Sequence, residues 1–157
     1  MKIIALRGRS DVGKTSSIKL LICELIEKGA SVEYCFNTRK MLLRIIDRND
    51  RKWYTASGRN VQNITVALKF KGKIIVIATV GDSTDLIKNA FLQTIKHLPY
   101  DSSHINGYIC GCHPKMDLTR LPEFKGCEIE FIEKSAGELE NSNFMAKNQL
   151  MQAIEKM

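Results

Sequence analysis

Two glycines, a lysine and a threonine near the start of the chain stand at a spacing suited to binding phosphate. Residues 8–15 read Gly-Arg-Ser-Asp-Val-Gly-Lys-Thr, which is the pattern G-x-x-x-x-G-K-[ST]. Gly8 and Gly13 allow backbone angles and a close approach that a side chain would block. Successive backbone N–H groups can then face inward and surround a phosphate group. We therefore expect a phosphate-binding loop in this stretch.

The other positions of the motif have expected roles in the same chemistry. Lys14 would reach the β- and γ-phosphates of a nucleotide, and the Thr15 hydroxyl would hold Mg²⁺. Ser16 would donate to the α-phosphate. The residues expected to bind the nucleotide around this loop are Gly8, Arg9, Ser10, Asp11, Val12, Gly13, Lys14, Thr15 and Ser16.

The segments on either side of the loop have the patterns that it needs. Residues 2–6 form a short apolar run, which is typical of a buried strand. After Lys14, apolar residues recur at helical spacing, and Gly29 stands where a helix C-terminal cap belongs. A chance match of eight residues does not predict this order of strand, loop and helix.

These first thirty residues resemble the P-loop NTPase superfamily, whose loop motif is also called Walker A. The resemblance implies a three-layer α/β/α sandwich, a nucleoside triphosphate as ligand and Mg²⁺ as cofactor. It does not identify the reaction, because the same loop serves hydrolases, kinases, switches and motors.

The rest of the chain alternates between strand and helix patterns, which predicts one α/β domain over residues 1–157. We expect a mostly parallel sheet with one antiparallel hairpin at its edge. Further strands are predicted at 31–36, 61–70, 73–80, 105–112 and 127–132. Further helices are predicted at 38–48, from after residue 85 to about residue 98, and at 143–156. Leu86 and Phe144 are expected to face the core. Loops 8–15, 79–85 and 111–120 should converge at the carboxyl ends of the strands.

A second acid is expected to help hold the metal. Asp82 is the first acidic residue beyond the strand at 73–80, and we expect it to act with Lys14 in catalysis and with Thr15 on Mg²⁺. The alternative is that Asp82 or Ser83 caps the following helix. The family pattern places the acid directly after the apolar run, where this chain has Thr79, which could orient water or a phosphate oxygen instead.

Two short matches resemble the guanine-binding motifs of small GTPases. Residues 115–117 (Lys-Met-Asp) resemble N-K-x-D, and residues 134–137 (Lys-Ser-Ala-Gly) resemble its S-A-K partner. By this resemblance Asp117 would accept hydrogen bonds from guanine, and Lys115 would pack along the base. Pro114 replaces the asparagine of that motif, and the D-x-x-G metal motif is absent. ATP is therefore the expected nucleotide, with GTP as the alternative.

The segment 38–59 is strongly basic and is interpreted as a lid or insert. Trp53 and Tyr54 stand within it and could stack on a base. As a lid it would clamp an anionic small-molecule or nucleotide acceptor, as in a kinase. It could also bind a protein or nucleic-acid partner, or be a solvated surface. Its basic residues are Arg39, Lys40, Arg44, Arg48, Arg51, Lys52 and Arg59, against Asp47 and Asp50.

Composition indicates a globular protein, and its net charge permits an anionic partner. The chain has 157 residues, 44% hydrophobic residues and a net charge of +7. No apolar run approaches the roughly 20 residues of a membrane span, and the first apolar run is too short for a secretory signal. Five cysteines, an odd number, favour reduced thiols and a cytoplasmic location. We therefore expect Mg²⁺-dependent ATP hydrolysis or phosphoryl transfer, with water as the default acceptor. The alternatives are a kinase and a GTPase-like or nucleotide-dependent switch.

Overall fold

A computed structural model describes residues 1–10, 12–36, 63–99, 101–134 and 136–157. The predicted helix at 38–48 and the basic lid lie outside these residues, as does Asp11. The main elements are β1 (Lys2–Arg7), α1 (Lys14–Glu27), β2 (Ser31–Phe36), β3 (Thr65–Phe70), β4 (Lys73–Ala78), α2 (Thr84–His97), β5 (Ile105–Cys112), β6 (Glu128–Glu133) and α3 (Leu139–Glu155). Short 3₁₀ turns occupy Ser102–His104, Leu118–Arg120 and Pro122–Phe124.

The described strands form one mixed sheet in the order β2-β3-β4-β5-β1-β6. β3 runs antiparallel to both of its neighbours, and all other pairs are parallel. The predicted hairpin is present: Lys71 and Gly72 both have positive φ, and they join β3 to β4 as a two-residue turn. The expectation that this hairpin forms the edge is wrong. β2 pairs with the outer side of β3 and takes the edge position itself.

Helices cover both faces of the sheet, so the domain has three layers. Along β1, Ile4 and Leu6 face the layer formed by α1 and α3, whereas Ile3 and Ala5 face α2. The same alternation continues along β4, which is buried on both faces as its continuous apolar run predicts. The α/β architecture is thereby confirmed.

Charged pairs fix β6 beside β1. Lys2 forms ion pairs with Glu128 (3.1 Å) and Glu130 (2.8 Å) at one end of the strand pair. Arg7 pairs with Glu133 at the other end, where the two residues share a register position. These contacts set the register that brings the residue after β6 next to the residue after β1.

Two predicted core positions are wrong. Leu86 is 44% exposed and Phe144 is 53% exposed. On α2 the buried positions begin with Ile87, one residue later than predicted. α3 begins at Leu139 rather than Asn143, because its first turn is polar and has no apolar periodicity to mark it. The bounds of β2 and β5 agree with the prediction.

Candidate functional site

The loop between β1 and α1 is closely surrounded by backbone and side chains. Gly8 follows β1, and its N–H donates to the Cys112 carbonyl at 3.0 Å. A Cβ added at Gly8 would lie 2.9 Å from Cγ2 of Val12. Gly13 has φ of +87°, and a Cβ there would lie 2.2 Å from Oδ1 of Asn143. Both motif glycines therefore stand where a side chain would collide with its neighbours.

Lys14 bridges the two sides of the loop with its ammonium group. Nζ donates to the carbonyl oxygens of Gly8 and Arg9, each at 2.7 Å. The residue is only 8% exposed. The motif lysine thus lies along the loop that would surround a phosphate. Arg9 and Ser10 are exposed, whereas Ser16 is buried in the first turn of α1.

The N-terminus of α1 is not neutralised by its own side chains. Its N-cap is Gly13, which provides no side-chain hydrogen bond, and the first turn of the helix holds no acid. By contrast, α2 has Ser83 as N-cap, accepting from the Leu86 N–H at 3.2 Å, and Asp85 in its first turn. α3 has Glu140 in its first turn. Among these three helices, α1 therefore offers the N-terminus best suited to an anion.

The three predicted loops do converge at the carboxyl ends of the strands. The Gly111 N–H donates to the Val80 carbonyl at 3.0 Å, joining the ends of β5 and β4. The Thr15 hydroxyl donates to the Thr79 carbonyl at 3.4 Å, joining α1 to the end of β4. The Thr79 hydroxyl accepts from the Ile64 N–H at 2.8 Å, so it helps hold the entry to β3.

Asp82 lies near this edge but touches none of the motif residues. It is exposed, and within the described residues it forms no hydrogen bond or ion pair. The capping role falls to Ser83. No group of three or more His, Cys, Asp or Glu side chains could hold a metal ion in the part of the chain that the structure describes. Any metal at this edge would therefore need further ligands from a bound substrate or from water.

The stretch with Lys115 and Asp117 folds into a local turn. Asp117 caps the 3₁₀ turn, its Oδ1 accepting from the Thr119 N–H (3.1 Å) and hydroxyl (2.5 Å). Oδ2 pairs with Nε of Arg120 at 3.0 Å. These hydrogen bonds, led by the Thr119 hydroxyl, lower the pKa of Asp117. The Lys115 N–H lies against Nδ1 of His113 at 3.3 Å. Both carboxylate oxygens therefore already have partners in the turn.

The structure also brings the start of α3 to the loop, which the sequence did not predict. Asn143 is fully buried, and its Oδ1 lies 3.2 Å from the Ser17 hydroxyl. The same hydroxyl donates to the Gly13 carbonyl at 3.0 Å. Lys134 lies against Gly8 from the other side. No local pattern marks these contacts, because they follow from β6 pairing with β1.

No protein-family model, no curated protein and no solved structure matches the chain. In the described ranges no helix is both long enough and apolar enough to cross a membrane. The function is therefore argued from the geometry of the site.

Proposed function

We propose that this protein is a P-loop nucleoside-triphosphate-binding protein that hydrolyses or transfers the γ-phosphate of Mg²⁺-ATP. The observation that carries the proposal is the loop before α1. It combines a left-handed Gly13, a lysine folded across the loop and a helix whose first turn holds no acidic residue. These features together favour an anion with several oxygens, such as a polyphosphate.

In this proposal the N–H groups near the loop bind phosphate, and Lys14 also stabilises the charge of the transferring group. The N–H groups of the loop and of the first turn of α1 would hold the β-phosphate. Lys14 would exchange its two carbonyl partners for phosphate oxygens, and its charge would stabilise the transferring group. The convergence of the ends of β4 and β5 on the loop provides a wall for the site.

Mg²⁺ fits this donor set as a companion of the nucleotide. Thr15 offers one hydroxyl oxygen, whose proton is directed at the Thr79 carbonyl. Asp82 is an exposed carboxylate without a partner among the described residues, which suits a ligand that acts through water. Mg²⁺ usually keeps several waters and takes other ligands from substrate phosphates. The ion would neutralise charge on the transferring phosphoryl group.

ATP is proposed over GTP because Asp117 is engaged in its own turn. A guanine base that used this carboxylate would have to compete with Thr119 and Arg120, which both donate to it. A cytoplasmic location belongs to the same proposal, and all five cysteines are free thiols. Water is the proposed acceptor. A kinase reaction or a switch function would depend on the basic segment 38–59.

The test is calorimetric titration with ATP and GTP, each with and without Mg²⁺. Lys14→Ala is expected to weaken Mg²⁺-ATP binding at least about 100-fold, because it removes a charge-assisted contact to phosphate. Lys96→Ala is the matched control, since Lys96 is an exposed lysine in the last turn of α2. Equal affinity of wild type and Lys14→Ala for ATP would refute the proposal. ATP turnover that requires an added acceptor would favour a kinase.

A further inference from the structure

A buried lysine outside the motif lies directly against the loop. Lys134 follows β6, and its N–H donates to the Arg7 carbonyl at 2.7 Å, which places it beside Gly8. A Cβ added at Gly8 would lie 3.1 Å from the Lys134 Cβ. The residue is 6% exposed, and its Nζ donates to the Ser142 hydroxyl in the first turn of α3.

Lys134 has no carboxylate partner among the described residues. The contrast with Lys147 is direct, because Lys147 is also 6% exposed but forms an ion pair with Glu24. Burial lowers the pKa of Lys134, and no acidic group opposes that effect. A buried ammonium that meets only a neutral hydroxyl is costly, because it has lost its water without gaining an opposite charge.

Two sources of positive potential lie near Lys134, the N-terminus of α1, whose first turn holds no acid, and the ammonium of Lys14, whereas α3 has Glu140 in its own first turn. The N-terminus of α3 lies against that of α1, where Leu139 and Asn143 contact the Gly13 position. The ammonium of Lys14 lies across the same loop. Helix N-termini and ammonium groups all favour a negative charge nearby.

We propose that Lys134 is a second cation of the phosphate site, which binds the polyphosphate of the nucleotide together with Lys14. This inference rests on the proposed function and adds a binding residue to it. To reach a phosphate group, the Lys134 ammonium gives up one hydrogen bond to the neutral Ser142 hydroxyl. The flexible four-carbon side chain allows Nζ to change direction. A phosphate oxygen then supplies the missing negative charge.

The alternative role for Lys134 is purely structural: its hydrogen bond to Ser142 would hold the end of β6 against α3. The two roles predict opposite effects of Lys134→Met. If the role of Lys134 is structural, Lys134→Met lowers the melting temperature of the protein and leaves its affinity for polyphosphate normal. A ligand-binding cation predicts weaker polyphosphate binding with an unchanged or higher melting temperature without ligand, because an apolar side chain of similar length replaces an unpaired buried charge.

The experiment measures melting without ligand and the affinity for ATP and for inorganic tripolyphosphate, which has no base or sugar. Lys134→Met is expected to weaken binding of both about 10- to 100-fold, the range for one charge-assisted contact. Lys134→Arg should retain most of the affinity. Ser142→Ala removes the hydrogen bond to Lys134 but keeps the ammonium. Its affinity for ATP and tripolyphosphate should therefore stay within about threefold of the wild-type value.

Three results would overturn the inference. Normal affinity of Lys134→Met, alongside lost binding in Lys14→Met, would reject Lys134 as a phosphate ligand and leave the proposed function standing. If Lys134→Met does not fold, a loss of affinity of about 10-fold or more in Ser142→Ala, which keeps the ammonium, would show that the hydrogen bond between Lys134 and Ser142 is what matters. Wild-type protein that binds neither ATP nor tripolyphosphate would remove the proposed function, and this inference with it.

Discussion

Gly13→Ala should reveal how tightly α3 encloses the loop between β1 and α1. Gly13 has φ of +87°, a backbone conformation that alanine adopts only with strain. The added methyl group would also lie 2.2 Å from Oδ1 of Asn143 and 2.9 Å from Cδ1 of Leu139. The substitution therefore combines backbone strain with a collision between α1 and α3.

Gly29→Ala separates these two effects. Gly29 follows α1 with φ of +93°, and a Cβ there has nothing within 4 Å. Its cost is backbone strain alone, about 1 kcal/mol after the entropy lost by the unfolded chain is counted. Gly13→Ala should add about 1–3 kcal/mol for overpacking, which gives about 2–4 kcal/mol in total. For a domain of this size each kcal/mol lowers the melting temperature by about 2–4 °C.

Urea unfolding of both variants, and of Gly13→Ala combined with Asn143→Ala, measures the collision directly. The double variant should be more stable than the sum of the single effects by about 1–2 kcal/mol, because removal of the amide opens space for the methyl group. A cost for Gly13→Ala equal to that of Gly29→Ala would refute the reasoning. So would strict additivity with Asn143→Ala.

Two further predictions concern charged groups. Burial acts to raise the pKa of Glu24, but hydrogen bonds from Lys147 and Lys28 outweigh it and lower the pKa. The resulting stabilisation is present above the unfolded pKa of about 4.3 and is lost as the pH falls through the folded pKa. Glu24→Gln should therefore destabilise by up to about 1 kcal/mol at pH 7, and by progressively less as the pH falls through the folded pKa, in urea titrations over that pH range. Asp117→Asn should leave the calorimetric affinities for ATP and GTP unchanged, and a selective loss of GTP binding would restore the guanine interpretation.

The parts of the fold that the sequence predicts well are those with strong local signals. The loop at 8–15 and α1 follow from glycine spacing and helical periodicity. β4 is recognisable from its continuous apolar run, and the turn at Lys71 and Gly72 from its composition. In each case neighbouring residues along the chain determine the conformation, so no long-range contact had to be known.

The errors arise where a distant element decides the outcome. The sequence predicts the hairpin of β3 and β4 at the edge of the sheet, because nothing in the residues of the hairpin indicates that β2 pairs with β3. Phe144 is a large apolar residue of the type usually found in a core. The buried face of α3 nevertheless contains Asn143 and Lys147 and not Phe144. These two residues are polar because each has a polar role: Asn143 lies against the loop, and Lys147 pairs with Glu24.

Asp117 shows that one short stretch can suit two different roles. Its spacing from Lys115 suits base recognition, and the same carboxylate caps the 3₁₀ turn that begins at the next residue, Leu118. Local hydrogen bonds within a turn form at little entropic cost, because their partners are already held close by the chain. A motif of this length therefore identifies a turn more readily than a ligand site.

The loop between β1 and α1 stands early in the sequence, but later parts of the chain enclose it. β1 has β5 and β6 as its two neighbours, and both come from residues after 104. Cys112 accepts from Gly8, Lys134 lies against Gly8, and Asn143 lies against Gly13. The motif itself contains the two glycines and Lys14, whereas the residues that surround it here come from the last third of the chain. The loop is therefore enclosed only once β5, β6 and α3 have assembled beside β1, because the contacts to Gly8 and Gly13 come from those elements.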